Sequence, residues 1–208
     1  MVAVPPPGSA EPGTAKAELD RLLSELDADT ERADDLVAQI DATFGDDQAV
    51  VVLDMSGFSR TVRTRGIVPF LLMIHRMQNL ACPAVAGHDG ILVKAEADNL
   101  LCLFPRVEDA VAAAREIVHD VEQHYPPAED GSEIAVSIGI GFGHVLNLGN
   151  EDVYGDEVNL ASKLGEDIAQ RGEILLTANA RAQLEDTDVE PEEFVVSVSG
   201  LELTYYRL

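Results

Sequence analysis

The chain contains no tryptophan, and aromatic residues make up 5% of its 208 positions. A core built from such a sequence relies on Ala, Val, Leu and Ile, within a hydrophobic content of 46%. Basic side chains are scarce too: Lys and Arg number 14 against 38 Asp and Glu, a formal net charge of −24. Nucleic acid and anionic membranes need a basic surface, so neither is expected as a partner. The lysines are Lys16, Lys94 and Lys163. A lysine within a folded part of so acidic a chain points to a local role, unless the composition merely favours arginine. Cys82 and Cys102 form no CxxC pair and no metal-type cluster. That speaks against a disulfide scaffold or zinc finger and for a reducing, cytoplasmic setting. No window approaches the roughly 18 apolar residues of a membrane span. The opening MVAVPPPGSAEPGTAKAELD lacks a basic n-region and an apolar h-region, so no secretory signal is expected.

Residues 1–16, rich in Pro, Gly and Ala, read as a disordered tail. From Ala17 to Phe44 the spacing predicts helix. Leu19, Leu22, Leu23 and Leu26 form one stripe; Leu36, Val37 and Ile40 form another. Thr30 either breaks the run or caps a second helix. The stripes are too short for a long coiled coil and suit docking on the domain or pairing of two chains. Gly45-Asp46-Asp47 closes this extension, which spans 17–46, and the main domain occupies 47–208.

The main domain opens with a near-continuous apolar strand, Ala49 to Asp54, of the kind buried on both faces. Ser56-Gly57-Phe58-Ser59 starts a short helix that Gly66 ends, and Pro69 sits in the first turn of a helix running to about Ala81. Gly90–Glu96 and Asp98–Phe104 read as strands joined by a tight turn near Ala97. Val107–Tyr125 is an amphipathic helix. Ile134–Phe142 and Val145–Leu148 are strands, Glu157–Ala169 a helix, and Glu173–Leu176 a strand. Thr177 caps a short helix to Leu184, and Phe194–Ser199 and Thr204–Arg207 are terminal strands. This order predicts an α+β domain: a mixed, largely antiparallel, ferredoxin-like sheet with helices on one face.

Asp54 ends a buried strand and Asp98 begins the second strand of a hairpin. If the strands are neighbours, two carboxylates meet at one sheet edge, which suits a hard cation such as Mg²⁺ or Mn²⁺. Taken singly, Asp54 also reads as a helix N-cap and Asp98 as a turn residue. Other motifs fail. There is no Walker A sequence. Gly139-Ile-Gly141-Phe-Gly143 has no helix after it and is no dinucleotide fingerprint. The histidines at 75, 88, 119, 124 and 144 lack paired metal spacing.

Five segments in order carry a resemblance. They are Leu53-Asp54-Met55-Ser56-Gly57-Phe58-Ser59, Lys94-Ala-Glu-Ala-Asp98 with Leu101-Cys-Leu-Phe104, Ile138-Gly-Ile-Gly-Phe-Gly143, Asp152-Val-Tyr-Gly155-Asp-Glu-Val-Asn159-Leu-Ala-Ser-Lys163, and Gly172-Glu-Ile-Leu-Leu-Thr177. From about Ala49 to the C-terminus the chain resembles the catalytic domains of class III adenylate/guanylate cyclases. Tyr154-Gly-Asp-Glu-Val158 is also similar to the GGDEF signature of diguanylate cyclases, but there the signature runs into a strand and here it runs into a predicted helix.

The resemblance implies roles position by position. Asp54 and Asp98, with the Met55 carbonyl, match the ligands of two divalent cations, Mg²⁺ or Mn²⁺. Lys94 and Asp152 match the pair that reads the purine edge, and lysine with aspartate implies adenine. Asn159 matches the ribose-orienting asparagine, and Lys163 stands where an arginine contacts the phosphate. The implied reaction is ATP, as its metal complex, to 3′,5′-cyclic AMP and pyrophosphate in a homodimer whose sites are shared between subunits. Without that resemblance, Lys94 reads as an exposed strand residue pairing with Glu96 or Asp98, Asp152 as part of a solvated acidic loop with Glu157, and Asn159 and Lys163 as a surface pair. Four departures stand out: Lys163 for arginine, Ala97 for the glycine before the second aspartate, a short loop at Asn147–Glu151, and Ser199 where some members carry lysine. A cyclase for guanine or a pyrimidine nucleotide, or a nucleotide-binding regulatory module with little turnover, are the other readings. The N-terminal helices are the candidate seat for a regulatory partner.

Overall fold

The structure is a computed structural model and describes residues 13–56, 66–126, 134–184, 191–198 and 201–208. Two amphipathic helices come first, α1 (Ala15–Ala28) and α2 (Ala33–Phe44). The Thr14 hydroxyl accepts from the Ala17 N–H at 3.2 Å and caps α1, so the helix starts two residues ahead of Ala17, within the stretch expected to be disordered. The rest of that tail, 1–12, lies outside the described residues, as do the short helix expected after Ser56 and Ser199. Asp29 rather than Thr30 caps the 3-10 turn between the helices, its carboxylate accepting from the Glu31 N–H. Leu19, Leu22, Leu36, Ile40 and Phe44 close on one another and on Leu148. Leu23 and Val37, from the same stripes, stay exposed.

The strands are β1 (Gly45–Ser56), β2 (Ile91–Glu96), β3 (Asn99–Phe104), β4 (Ala135–Asn147), β5 (Val153–Tyr154), β6 (Ile174–Thr177), β7 (Glu192–Val198) and β8 (Leu201–Arg207). They form one sheet in the order β2-β3-β1-β4-β6-β8-β7, with β5 paired to β4. β4 and β6 are parallel and every other pair is antiparallel, as the α+β reading expects. β1 starts at Gly45, earlier than expected, because Gly45–Gln48 pair with Gly143–Leu146. Cross-strand bonding there overrides the weak strand propensity of Asp46 and Asp47. The same pairing keeps β4 continuous where two strands were expected.

Side-chain alternation along β1 sets two faces. Val51, Leu53 and Met55 face α3 (Ile67–Gly87) and α4 (Val107–His124) in the main core. α3 runs past the expected end at Ala81, with Pro83 inside, because Ala84 and Val85 continue its buried face. Val50 and Val52 face the other way, with Leu103, Val145 and Ala161. Ala161 belongs to α5 (Asp156–Ser162), which continues as a π-helical turn, Lys163–Ile168. Helices therefore cover both faces, not one. Glycines on β4 make room for the second layer: a Cβ on Gly139 would lie 2.1 Å from the Ala161 carbonyl oxygen, and one on Gly141 2.7 Å from that of Glu157. The expected single helix over 157–169 changes pitch at Lys163, where the Ala169 N–H reaches back five residues to the Leu164 carbonyl at 2.8 Å. Thr177 caps α6 (Ala178–Gln183), accepting from the Ala180 N–H.

Candidate active site

The candidate residues gather on the α5 side of the sheet. Antiparallel register places Asp54 opposite both Asn99 on β3 and Ser137 on β4. One row further, Val52 stands between Leu101 and Gly139. Lys94 reaches this row through an irregularity in β2. Ile91 and Leu92 pair with Leu103 and Cys102, the register then shifts, and Lys94 pairs with Leu101. Without the shift Lys94 would stand opposite Leu100, which is buried against α3 and α4. A one-residue bulge thus moves an ammonium group from the apolar core face to the polar face.

Asp54 and Asp98 form the corner of the site. Asp98 lies in the turn before β3, and its carbonyl accepts from the Met55 N–H at 3.1 Å, tying the turn to the end of β1. Met55 offers backbone atoms alone, since its side chain is buried in the main core. Burial, then repulsion from Asp98 and Glu166, push the Asp54 carboxyl up to about 6, against the lowering effect of the Met55 N–H. Burial, with Asp167 and Asp98 nearby, raises Glu166 as well. This concentration of negative charge fits a cation. Among the described residues no three His, Cys, Asp or Glu side chains converge into a closed cage. Two aspartates that leave the remaining shell to water and phosphate are the usual setting for Mg²⁺. The buried Asn99 Oδ1, opposite Asp54 in register, has no hydrogen-bond partner among the described residues. A hydrated cation supplies donors of the kind it lacks.

Lys94 and Asp152 meet, Nζ to Oδ1 at 2.8 Å, although 58 positions apart in the chain. The alternative partners Glu96 and Asp98 are not the ones Lys94 bonds. Asp152 is held by three donors: Lys94, the Val153 N–H at 2.9 Å and the Tyr154 hydroxyl at 3.0 Å. Burial works to raise its pKa, but these donors outweigh it and hold the carboxyl below its usual range. The hydrogen bond from Lys94 to Asp152 in turn raises the lysine, which stays charged. Both line a cavity of about 230 Å³ with Val52, Asn99, Ser162 and Glu166. That is below the roughly 300–1,000 Å³ of small-molecule sites, room for a base rather than a whole nucleotide.

Asn159 and Lys163 share a face of α5 and its π-turn but do not line this cavity. Asn159 is exposed, and Lys163 is ion-paired with Asp167, four residues on. The site also holds residues that sequence reading passed over. Glu157, read above as solvated, is 6% exposed and accepts from Phe142 N–H, Thr177 and Asn179. It pins α5 to β4, β6 and α6. Tyr154, Asn99, Ser162 and Glu166 had no distinguishing pattern. The Lys163–Asp167 pair did, in its i,i+4 spacing.

No family model and no curated protein matches the chain. Solved structures do. An adenylate/guanylate cyclase/hydrolase from Silicibacter pomeroyi is 24% identical at TM-score 0.67, the match covering 78% of this chain and 96% of that one. The non-canonical dimeric guanylyl cyclase domain of the RhoGC fusion protein from Blastocladiella emersonii is 18% identical at TM-score 0.65, covering 78% and 95%. An adenylate cyclase from Trypanosoma brucei in its monomeric state is 16% identical at TM-score 0.65, covering 78% and 87%. In its mixed, largely antiparallel sheet with helices packed on it, the chain has the fold of class III adenylate/guanylate cyclase catalytic domains.

Proposed function

We propose that the protein is an adenylate cyclase that converts ATP to 3′,5′-cyclic AMP and pyrophosphate, in a site shared across a homodimer. The observation that carries this reading is the Lys94–Asp152 ion pair in the wall of a base-sized cavity, on the same sheet face as the Asp54–Asp98 corner. A lysine N–H donates to the ring nitrogen N1 of adenine, and a carboxylate accepts from its exocyclic amine. Asn159 orients the ribose, which keeps the 3′-hydroxyl near the α-phosphorus. Lys163 opposes the negative charge that develops on the phosphoryl oxygens. Asp54, Asp98 and the Met55 carbonyl would hold divalent cations, Mg²⁺ or Mn²⁺. Bound there, such ions lower the pKa of the ribose hydroxyl and screen the triphosphate.

The shared site rests on three features. The cavity is small for a nucleotide triphosphate, Asn159 and Lys163 lie outside it, and Ile67, Val68, Leu71 and Leu72 are exposed at the start of α3. A solved domain of this fold is a non-canonical dimer, and another is monomeric. No helix among the described residues is long and apolar enough to cross a membrane.

The test is incubation of the purified protein with Mn²⁺ or Mg²⁺ and each nucleoside triphosphate in turn, with products identified by mass spectrometry. Cyclic AMP from ATP, lost in Asp54→Ala and Asp98→Ala, is the expected result. Cyclic GMP or a cyclic pyrimidine nucleotide as main product overturns the base assignment, and no cyclic nucleotide from any substrate overturns the enzyme. One observation favours a binding module with little turnover: Asp167 neutralises Lys163 within the chain. ATP binding without product, unchanged in Lys163→Arg, establishes that second reading.

A further inference from the structure

Tyr154 joins two parts of the molecule that the proposed chemistry treats separately. Its hydroxyl donates to Asp152 Oδ2 at 3.0 Å, while Oδ1 takes Lys94 at 2.8 Å and the Val153 N–H at 2.9 Å. Beyond the hydroxyl, the residue lies in the wall of two apolar grooves beneath α1 and α2, each lined as well by Leu23, Ile40 and Leu146. β5, which carries it, is two residues long and pairs at Leu146 and Asn147 alone. Lys94 and the Val153 N–H both bind Oδ1, and the Leu148 N–H holds the Asp152 carbonyl at 2.9 Å, so among the described residues the Tyr154 hydroxyl is what fixes Oδ2.

A carboxylate held at one oxygen turns easily about its last torsion, where the energy profile is broad. Held at both, it presents its remaining acceptor positions in one plane. Each ionised carboxylate oxygen accepts at two positions, so Oδ2 keeps one free after binding Tyr154. A purine carrying an amino group at that point donates to it. A purine carrying a carbonyl there meets acceptor against acceptor.

We infer that Tyr154 is a positioning residue for base selectivity: its hydroxyl fixes the Asp152 carboxylate for an amino-bearing purine, and the groove walls the residue shares with Leu23 of α1 and Ile40 of α2 let the N-terminal helices bear on that setting. The identity of the base rests on the cyclase reading, while the link from α1 and α2 to Asp152 rests on the shared groove walls and the Tyr154–Asp152 hydrogen bond.

Tyr154→Phe removes the hydroxyl and keeps the ring. In the full chain with Mn²⁺, KM for ATP rises about fivefold, the equivalent of one ordinary hydrogen bond, while kcat stays within about twofold. The preference for ATP over GTP in kcat/KM falls by a similar factor, and the melting temperature is unchanged. Leu23→Ala, in the groove wall, shifts KM in the same direction by less, and has no effect when Tyr154 is already Ala. Unchanged KM and unchanged preference in Tyr154→Phe overturn the inference, as does an equal effect of Leu23→Ala with and without Tyr154. If the wild type makes no cyclic nucleotide, the cyclase reading falls by itself. Calorimetry with ATP and GTP then decides: a smaller preference for ATP in Tyr154→Phe than in the wild type upholds the inference, and equal preference overturns it.

Discussion

Gly139→Ala tests whether the sheet and α5 are held at their distance by the absence of a side chain. The added Cβ would lie 2.1 Å from the Ala161 carbonyl oxygen and 2.6 Å from the Gly165 amide nitrogen, where real Cβ contacts do not fall below 3.0 Å. Both obstacles are backbone, so no rotamer change relieves them. Either α5 lifts or β4 bends, by roughly an ångström. Overpacking of this kind costs about 1–3 kcal/mol. For a domain of this size each kcal/mol lowers the melting temperature by about 2–4 °C. Activity should suffer more than stability, because α5 and the π-turn that continues it carry Asn159 and Lys163, to which the proposed function assigns roles. A displacement of about 1 Å in a reactive arrangement costs on the order of a hundredfold in rate. The assay pairs urea denaturation followed by circular dichroism with cyclic nucleotide production. Gly87→Ala is the control: its Cβ meets nothing within 4 Å, and it should leave both readouts close to wild type. A Gly139→Ala protein with wild-type stability and wild-type turnover would refute the claim that bare glycine backbone sets the position of α5.

Three further outcomes follow from charge and backbone geometry. With its carboxyl raised to about 6, Asp54 must lose a proton to hold a cation, so Mn²⁺ affinity measured by calorimetry falls about tenfold per pH unit below that value; Asp98→Asn, removing a like charge, moves the midpoint lower, and an affinity independent of pH between 5 and 8 contradicts this. Its contribution to the stability of the metal-free protein is full below the ordinary aspartate range and is lost as pH rises through about 6. Ala97 has a φ of 51°, in the left-handed region, so Ala97→Gly should stabilise the protein by about 1 kcal/mol in urea denaturation, and a loss of stability would show that the turn is unstrained. His144 bonds Asp41 of α2 and Asp47 of β1, and these partners raise its pKa. Its contribution to stability is full below the ordinary histidine range and lost as pH rises through the raised value; His144→Gln should remove that pH dependence, and a denaturation midpoint with the same pH profile in both proteins counts against it.

The parts of this site that follow from local chemistry were legible in the sequence. An apolar run ending in Asp54 and a turn ending in Asp98 mark two strand ends, and the antiparallel pairing of β1 with β3, which the sequence left conditional, brings them to one corner. What stayed hidden depends on register and layering. The shift between Leu92 and Lys94 leaves no trace in the hydrophobic pattern, yet it decides which face Lys94 occupies. The glycines of β4 look like strand breakers in one dimension; in three they are the floor beneath α5. Glu157 reads as one more solvated acid in an acidic chain because its donors come from Phe142, Thr177 and Asn179, two of them about 20 positions away. The π-turn at Lys163 differs from an α-helix by one hydrogen-bond step, which side-chain periodicity over six residues does not resolve.

Charge links the acidic composition to the layout of the site. The proposed substrate is itself an anion, and the protein carries a formal −24. Both lysines near the site are already engaged, Lys94 by Asp152 and Lys163 by Asp167. These pairs differ in kind. The first is partly buried and backed by Tyr154 and Val153, and under the proposed function it would meet a neutral base whose edge offers one donor and one acceptor. The second is an exposed i,i+4 pair, of a class worth about 0.3–0.5 kcal/mol, and a phosphoryl oxygen competes with Asp167 for Lys163 at little expense. On the proposed function, selectivity for the base would draw on a rigid network, and the response to the phosphate on a loose one. Neither supplies enough positive charge to offset a triphosphate beside Asp54, Asp98, Glu166 and Asp167. A proposed substrate arriving with its own divalent cation would resolve that imbalance, because the same four carboxylates that would repel free nucleotide would attract its metal complex.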